Sequence, residues 1–220
     1  MTTDGERTIE AVLFDMDGVI VDSERYWAEY EEERILPAAE VSGLDPGEIT
    51  GMNYKEIAEY LTENYDAAVG TDELQAIYEE CAAELYTERA ELMDGFRDLC
   101  GTLRDRGIRL AIVTSSPPEW IEMVRERFDL TGFDATVSAE EIDGPGKPEP
   151  HIYRHAAEAV GVDPADCVAV EDSTNGVASA TAAGATCIGY RGGSDRTLDL
   201  SAADVVVDGP QELRAELLAR

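Results

Sequence analysis

The stretch that most constrains this chain is Ala11-Val12-Leu13-Phe14-Asp15-Met16-Asp17-Gly18-Val19. Four apolar residues stop abruptly at two aspartates spaced one apart, and a glycine follows. A run bounded that way reads as a strand buried on both faces, the habit of parallel sheets. In open sheets of that kind ligands sit outside the carboxyl ends of the strands, where these acids fall. Two carboxylates there suit a divalent cation and an electrophile. The plain alternative is an acidic strand-to-helix turn in which Asp15 or Asp17 caps the helix.

The downstream pattern decides between them. Strands are expected over 9–14, 109–114, 133–137, 167–170, 186–190 and 204–207, and helices over 96–106, 117–128, 151–160, 173–183 and 210–218. Gly107 closes the first of these helices, and Pro117 or Pro118 opens the second. Strands alternating with helices of about ten residues imply an α/β fold with a doubly wound, parallel, Rossmann-like sheet. Between residues 22 and 94 the character changes to Glu, Ala and Tyr with no convincing strand. Asp22 or Ser23 can cap a helix over 23–40, and Tyr54, Ile57, Ala58 and Leu61 share one helical face. Leu74, Ile77, Tyr78, Cys81 and Leu85 share another, with turns at 42–51 and 69–72 between the pieces. The expected organisation is a core of 1–21 and 95–220 interrupted by an all-helical insertion over 22–94, a usual size for a small helical domain.

The charge balance narrows the partners. Seventeen Lys+Arg face 48 Asp+Glu, for a formal net charge of −31, which argues against nucleic acid and anionic membrane as partners. A hydrophobic content of 44 % argues against disorder. The acidity reads as a surface adapted to molar salt, where a Debye length of about 3 Å screens self-repulsion. Cys81, Cys100, Cys167 and Cys187 form no CxxC pair and no metal-ligand spacing, so they are expected as small buried thiols in a reducing compartment. MTTDGERTIE has no apolar signal region and no run approaches a membrane span. A cytoplasmic chain, monomeric or weakly dimeric, is expected.

Four polar groups fall at carboxyl ends of the expected strands: Asp15 and Asp17, Thr114-Ser115-Ser116, Lys147 in a Gly/Pro loop, and Glu171-Asp172. Together they suit Mg²⁺ and a phosphoryl group. DMDGV, the ending VTSS, the GKP lysine and EDSTNG resemble the four motifs of the haloacid dehalogenase superfamily of phosphotransferases. The helical insertion resembles the cap shared by its β-phosphoglucomutase and phosphoglycolate-type phosphatase members. The resemblance runs over about residues 9–190. It implies that Asp15 is the nucleophile forming an aspartyl-phosphate and that Asp17 is the general acid and base. It implies that Thr114, with a neighbouring N–H at Ser115, holds phosphoryl oxygens and that Lys147 neutralises charge. Mg²⁺ would be held by Asp15, the Asp17 carbonyl, Asp172 and Glu171. Members that cleave carbon–halogen bonds lack the second aspartate, so Asp17 implies phosphoryl chemistry.

The implied function is Mg²⁺-dependent hydrolysis of a small phosphate monoester, phosphoglycolate or a sugar phosphate. The alternative is a β-phosphoglucomutase-like phosphosugar mutase. In that enzyme a histidine on the first cap helix and an arginine in the cap turn serve the sugar phosphate, and here the matching positions carry Trp27 and Tyr54. Lys55 could partly replace the arginine. Asn53, Tyr54, Lys55, Arg25 and Asn175 are the candidate substrate contacts, each otherwise plain surface. A receiver-like phospho-switch is the third reading, but it puts its acceptor elsewhere and has no use for a lid. His151 and His155 stand four apart without the glutamate of a zincin motif and are expected on a helix surface. Glu31-Glu32-Glu33 is expected as a solvated face. With −31 to hold together, the protein should melt at a lower temperature in dilute buffer than in molar KCl, and added Mg²⁺ should raise the melting temperature. Thermal scans across a KCl series test this, and a flat profile would refute the salt-adapted reading.

Overall fold

A computed structural model describes residues 9–44, 48–49, 52–192 and 198–220. At its centre β1 (Ala11–Phe14) is buried at all four positions. It is flanked by β2 (Arg109–Thr114), β3 (Ala135–Ser138), β4 (Cys167–Glu171), β5 (Thr186–Tyr190) and β6 (Val205–Val207), in the order β3-β2-β1-β4-β5-β6. Every pairing is parallel. The chain steps outward from β1 to β2 and β3, then crosses back to β4, so the order reverses between β1 and β4. A reversal of this kind opens a crevice at the carboxyl ends of the two strands. Phe14 pairs with both Ile112 and Val170, and the Asp15 N–H donates to the Val170 carbonyl at 3.0 Å. The residues that follow β1, β2 and β4 therefore emerge side by side.

Along the chain, the helical insertion comes between β1 and β2: α1 (Glu24–Tyr30), α2 (Leu36–Ala39), α3 (Tyr54–Asn64) and α4 (Thr71–Glu84). The helix expected over 23–40 is interrupted by a π-helical turn, Glu31–Ile35, and a second such turn, Leu85–Arg89, ends α4. A π turn re-phases the side chains by one position, which a hydrophobic period averaged over many residues does not reveal. At α3 the Asn53 side chain accepts from the Lys55 N–H while Glu56 returns to the Asn53 N–H, a complete capping box. Part of the turn expected over 42–51 falls on 45–47, 50 and 51, outside the described residues. The two chain crossings into the insertion pair with each other. The Asp22 N–H donates to the Glu91 carbonyl and the Met93 N–H to the Ile20 carbonyl, both at 2.9 Å, around an antiparallel bridge of Val21 with Leu92.

Alternate residues of β1 serve opposite layers. Val12 and Phe14 pack with α5 (Phe96–Asp105), α6 (Pro118–Arg127) and, later in the chain, α9 (Pro210–Ala219); the buried side of the insertion joins the same cluster. Ala11 and Leu13 pack with α7 (His151–Val160) and α8 (Thr174–Ala183). The four cysteines are buried free thiols within these layers. No helix among the described residues is long and apolar enough to cross a membrane.

At the start of α8 the Ser173 hydroxyl accepts the Gly176 N–H at 3.0 Å, a serine N-cap. A Cβ on Gly176 would lie 1.9 Å from Oε2 of the fully buried Glu171. Helix propensity alone makes Gly→Ala stabilising by about 1 kcal/mol. Here Gly176→Ala should lower the melting temperature instead, because Glu171 has to move; a melting scan of that single variant decides the sign.

Candidate active site

Lys147 stands where the ends of β1 and β4 converge. Its Nζ lies 2.6 Å from Asp15 Oδ1 and 2.5 Å from Glu171 Oε1, and all three side chains are buried. Glu171 is engaged on both oxygens. Tyr153, on α7, donates to Oε1 at 2.6 Å, and the Ser173 hydroxyl donates to Oε2 at 3.1 Å. Burial works against the Lys147 charge, but Asp15 and Glu171 outweigh it and hold its pKa above the ordinary lysine range. Burial pushes the Asp15 carboxyl well up; Lys147 opposes this, while Glu171 and Asp17 add to it. Burial, reinforced by Glu171, also raises the Tyr153 phenol, which keeps it a hydrogen-bond donor.

Asp17 is gripped from three separate segments. Its Oδ1 accepts from the hydroxyls of Ser23 and Tyr86, each at 2.6 Å, and its Oδ2 accepts from Ser116 at 2.7 Å. Tyr86 sits in the second π turn and accepts in turn from the Trp27 indole N–H at 3.2 Å. Burial and the neighbouring Asp17 push the Tyr86 phenol well above its usual range, so it remains a donor. Ser116 is fixed from behind, since its carbonyl accepts from Ser138 at 2.8 Å and its N–H donates to Thr114 Oγ1 at 3.0 Å.

The residues fit a hard divalent cation. Asp15, Glu171 and Asp172 are buried and offer carboxylate oxygens within 4.8 Å of one another. Burial raises the Asp172 carboxyl well above its usual range, and Glu24, Asp15 and Glu171 push the same way. Glu24, the first residue of α1, is pushed up to about 8 by burial and then by Asp17 and Glu31. One lysine does not balance these acids, and all-oxygen donors match Mg²⁺. Because Glu171 already serves three donors, Asp15 and Asp172 have the carboxylate oxygens left for the ion. Gly18 clears the space: its φ is +72°, and a Cβ there would stand 1.7 Å from Asp172 Oδ2. Any L side chain at 18 would be both strained and in collision.

A cavity of about 570 Å³ opens above these groups. Asp15, Asp17, Thr114, Ser115, Lys147 and Asp172 line its floor, with Glu24, Arg25, Trp27, Glu31, Asn53, Tyr54, Tyr78 and Trp120 on its walls. The Ser115 carbonyl accepts from the Asn53 side chain at 2.8 Å, a direct tie between core and insertion. Of the expected substrate contacts, Asn53, Tyr54 and Arg25 reach the cavity, Arg25 while paired with Asp22 at 3.1 Å. Lys55 does not: its ammonium is spent on Glu140 at 2.8 Å. Asn175, near the start of α8, is not among the lining residues. The acidic run also divides. Glu32 and Glu33 are exposed, but Glu31, at the head of the first π turn, faces the cavity. His151 and His155 lie exposed on α7, as expected. Sequence reasoning missed Ser23, Glu24, Tyr86 and Tyr153. Ser116 was visible in the VTSS ending without a role, whereas Tyr86 and Tyr153 look like ordinary apolar-face residues of their helices.

Comparison with known proteins agrees with this geometry. A profile of haloacid dehalogenase-like hydrolases matches residues 9–184. Hexitol phosphatase B of Escherichia coli strain K12 is 31 % identical over 183 residues, covering 80 % of this chain and 81 % of that protein. A phosphorylated carbohydrates phosphatase of Thermotoga maritima is 32 % identical over 183 residues, covering 80 % and 82 %. The crystal structure of CbbY from Rhodobacter sphaeroides in complex with phosphate superposes with a TM-score of 0.76 at 30 % identity, covering 91 % of this chain and 94 % of that one. With its motifs at the ends of β1, β2 and β4 and in the loop before α7, the chain belongs to the haloacid dehalogenase-like hydrolases.

Proposed function

We propose that this protein is a Mg²⁺-dependent phosphatase of small phosphorylated metabolites, working in the cytoplasm through an aspartyl-phosphate at Asp15. The observation that carries this reading is the convergence of Asp15, Lys147 and Asp172 at the β1/β4 reversal, with Asp17 held two residues away. Asp15 attacks phosphorus with one carboxylate oxygen, and Lys147 offsets the repulsion between that carboxylate and the phosphate dianion. Asp17 gives its proton to the leaving alkoxide and later takes one from the water that cleaves the acyl-phosphate. Thr114 and the N–H of Ser115 hold phosphoryl oxygens. Asp15, Asp172 and the Asp17 carbonyl are the residues that would hold Mg²⁺, with Glu171 as the anchor of Lys147 beside it. The ion supplies charge neutralisation at the phosphoryl oxygens. The helical insertion serves as a cap that keeps bulk water from the site.

Two observations favour a phosphatase over the mutase alternative. Trp27 and Tyr54 pack against Trp120, with ring centroids 5.2 and 4.8 Å away, and neither offers a titrating ring or a cation. Lys55 is paired with Glu140, which removes the cation that could have gripped a second phosphate.

Two measurements test the reading. Asp15→Asn should keep the melting temperature within a few degrees and lose more than about a hundredfold in turnover, more than the loss of modest general-base assistance explains. Wild type given β-glucose 1-phosphate with a trace of the bisphosphate should release phosphate; glucose 6-phosphate appearing faster than free phosphate would favour the mutase instead. Tyr86→Phe removes one of three donors to Asp17, a loss of about 1 kcal/mol or five- to tenfold. That loss should appear in kcat/KM for alkyl phosphates, whose leaving oxygen needs the proton, and hardly at all for p-nitrophenyl phosphate, whose leaving group does not. An equal loss for both substrate types would make Tyr86 merely structural.

A further inference from the structure

The charges on the cavity wall discriminate among substrates, an inference that rests on the phosphatase reading. The cap side of the cavity presents Glu31 and Glu24 but no free cation among the described residues. Arg25 is paired with Asp22, Lys55 lies outside on Glu140, and Lys147 is committed to Asp15 and Glu171. The Glu31 carboxylate has no hydrogen bond and no ion pair among the described residues, although its neighbours Glu32 and Glu33 turn to solvent. Glu31 continues the inward face of α1, sharing it with Glu24, Trp27 and Ala28 at helical spacings of three and four. Desolvation pushes its carboxyl up to about 7, as befits a group waiting for a donor that the protein does not provide. Close by, Tyr78 also lines the cavity; it is 2 % exposed and its hydroxyl has no partner among the described residues. Next to them, Trp27 packs against Tyr78 with ring centroids 5.9 Å apart and stacks on Trp120 with an interplanar angle of 22°, giving an apolar wall.

We propose that Glu31, with Tyr78 beside it, is the specificity subsite for the leaving group, and that it takes a non-anionic group carrying hydrogen-bond donors. One flat face of that group rests on Trp27, and its hydroxyls or an ammonium donate to the Glu31 carboxylate. A substrate with a second anion, a carboxylate or another phosphate, finds no unpaired cation there and meets like charge as the Glu31 carboxyl ionises. A substrate without donors leaves Glu31 desolvated and unpaired, the situation in which polar sites reject analogues most strongly. Phosphoglycolate, one of the two substrate types suggested by the sequence, is thereby disfavoured.

The test uses the full chain in molar KCl with Mg²⁺ and four probes: a hexitol 6-phosphate, a hexosamine 6-phosphate, phosphoglycolate and p-nitrophenyl phosphate. Wild type should favour the hexitol or the hexosamine ester over phosphoglycolate by at least about tenfold in kcat/KM, the size of one hydrogen bond to a charged group. The faster of the two identifies the donor as hydroxyl or ammonium. Glu31→Gln should lose about tenfold on the preferred ester, chiefly in KM, and less on p-nitrophenyl phosphate, which has no donors. Glu31→Lys should raise kcat/KM for phosphoglycolate. Melting temperatures of both variants separate a binding change from unfolding. Phosphoglycolate turned over as well as the other esters, an equal loss on every probe in Glu31→Gln, or no gain in folded Glu31→Lys would each overturn the subsite. If wild type hydrolyses none of the four, p-nitrophenyl phosphate included, the phosphatase reading itself falls and the subsite with it.

Discussion

The buried contact of Lys147 with Asp15 and Glu171 is the interaction on which the rest of the site depends. Two carboxylates from adjacent strands are brought together because β1 and β4 pair in register, and without a cation between them they would repel through a medium of low polarity. At about 4 Å and an effective dielectric near 20, each unit-charge pair is worth about 4 kcal/mol before desolvation is counted. One lysine settles only part of that balance, because Asp172 and Asp17 stand close by. A divalent ion would remove the surplus of negative charge, and on the proposed reading the ion and Lys147 together would make room for a phosphate dianion. Tyr153 and Ser173 complete the anchor by saturating Glu171, so that Lys147 is held by a residue free of other duties.

Asp17 answers to a different set of forces. Ser116 reaches it from the loop after β2, Ser23 from the crossing into the insertion, and Tyr86 from the crossing back. Asp17 is thus oriented by both halves of the molecule. Trp27 extends the connection, since its indole N–H holds Tyr86 while its ring forms the cavity wall. On the proposed reading, a substrate seated against that wall would press on the same aromatic cluster that positions Asp17.

The core was legible in the sequence because each strand is a short apolar run and punctuation such as Gly107 and Pro117-Pro118 marks helix ends and starts. Parallel pairing then forces the strand ends, and the acids on them, to one edge. Asp15, Asp17, Thr114, Lys147 and Asp172 were found that way, and the sheet puts them within reach of one cavity. The insertion was legible as helices but not as a surface. Glu31 continues the face of Glu24, Trp27 and Ala28, hidden in a run of three glutamates, and Tyr86 falls in a π turn, where the helical period breaks. Lys55 failed for another reason: it looked available next to Asn53, but Glu140, 85 residues away in sequence, claims it. Pairings at that distance leave no local trace.

Acidity is the background against which this site has to be recognised. With 48 Asp+Glu in 220 residues, a carboxylate is no signal in itself. What separates the working acids is desolvation. Glu32 and Glu33 sit in water, where in molar salt their repulsion is screened within about 3 Å. Asp15, Glu24, Glu31 and Asp172 are withdrawn from it, and burial is the first cause of each raised pKa. Salt in the bulk screens such groups far less than it screens the surface. The same composition therefore yields two populations of acids. One lies on the solvated surface; the other stands inside the cavity, where on the proposed reading it gathers a cation and selects the leaving group.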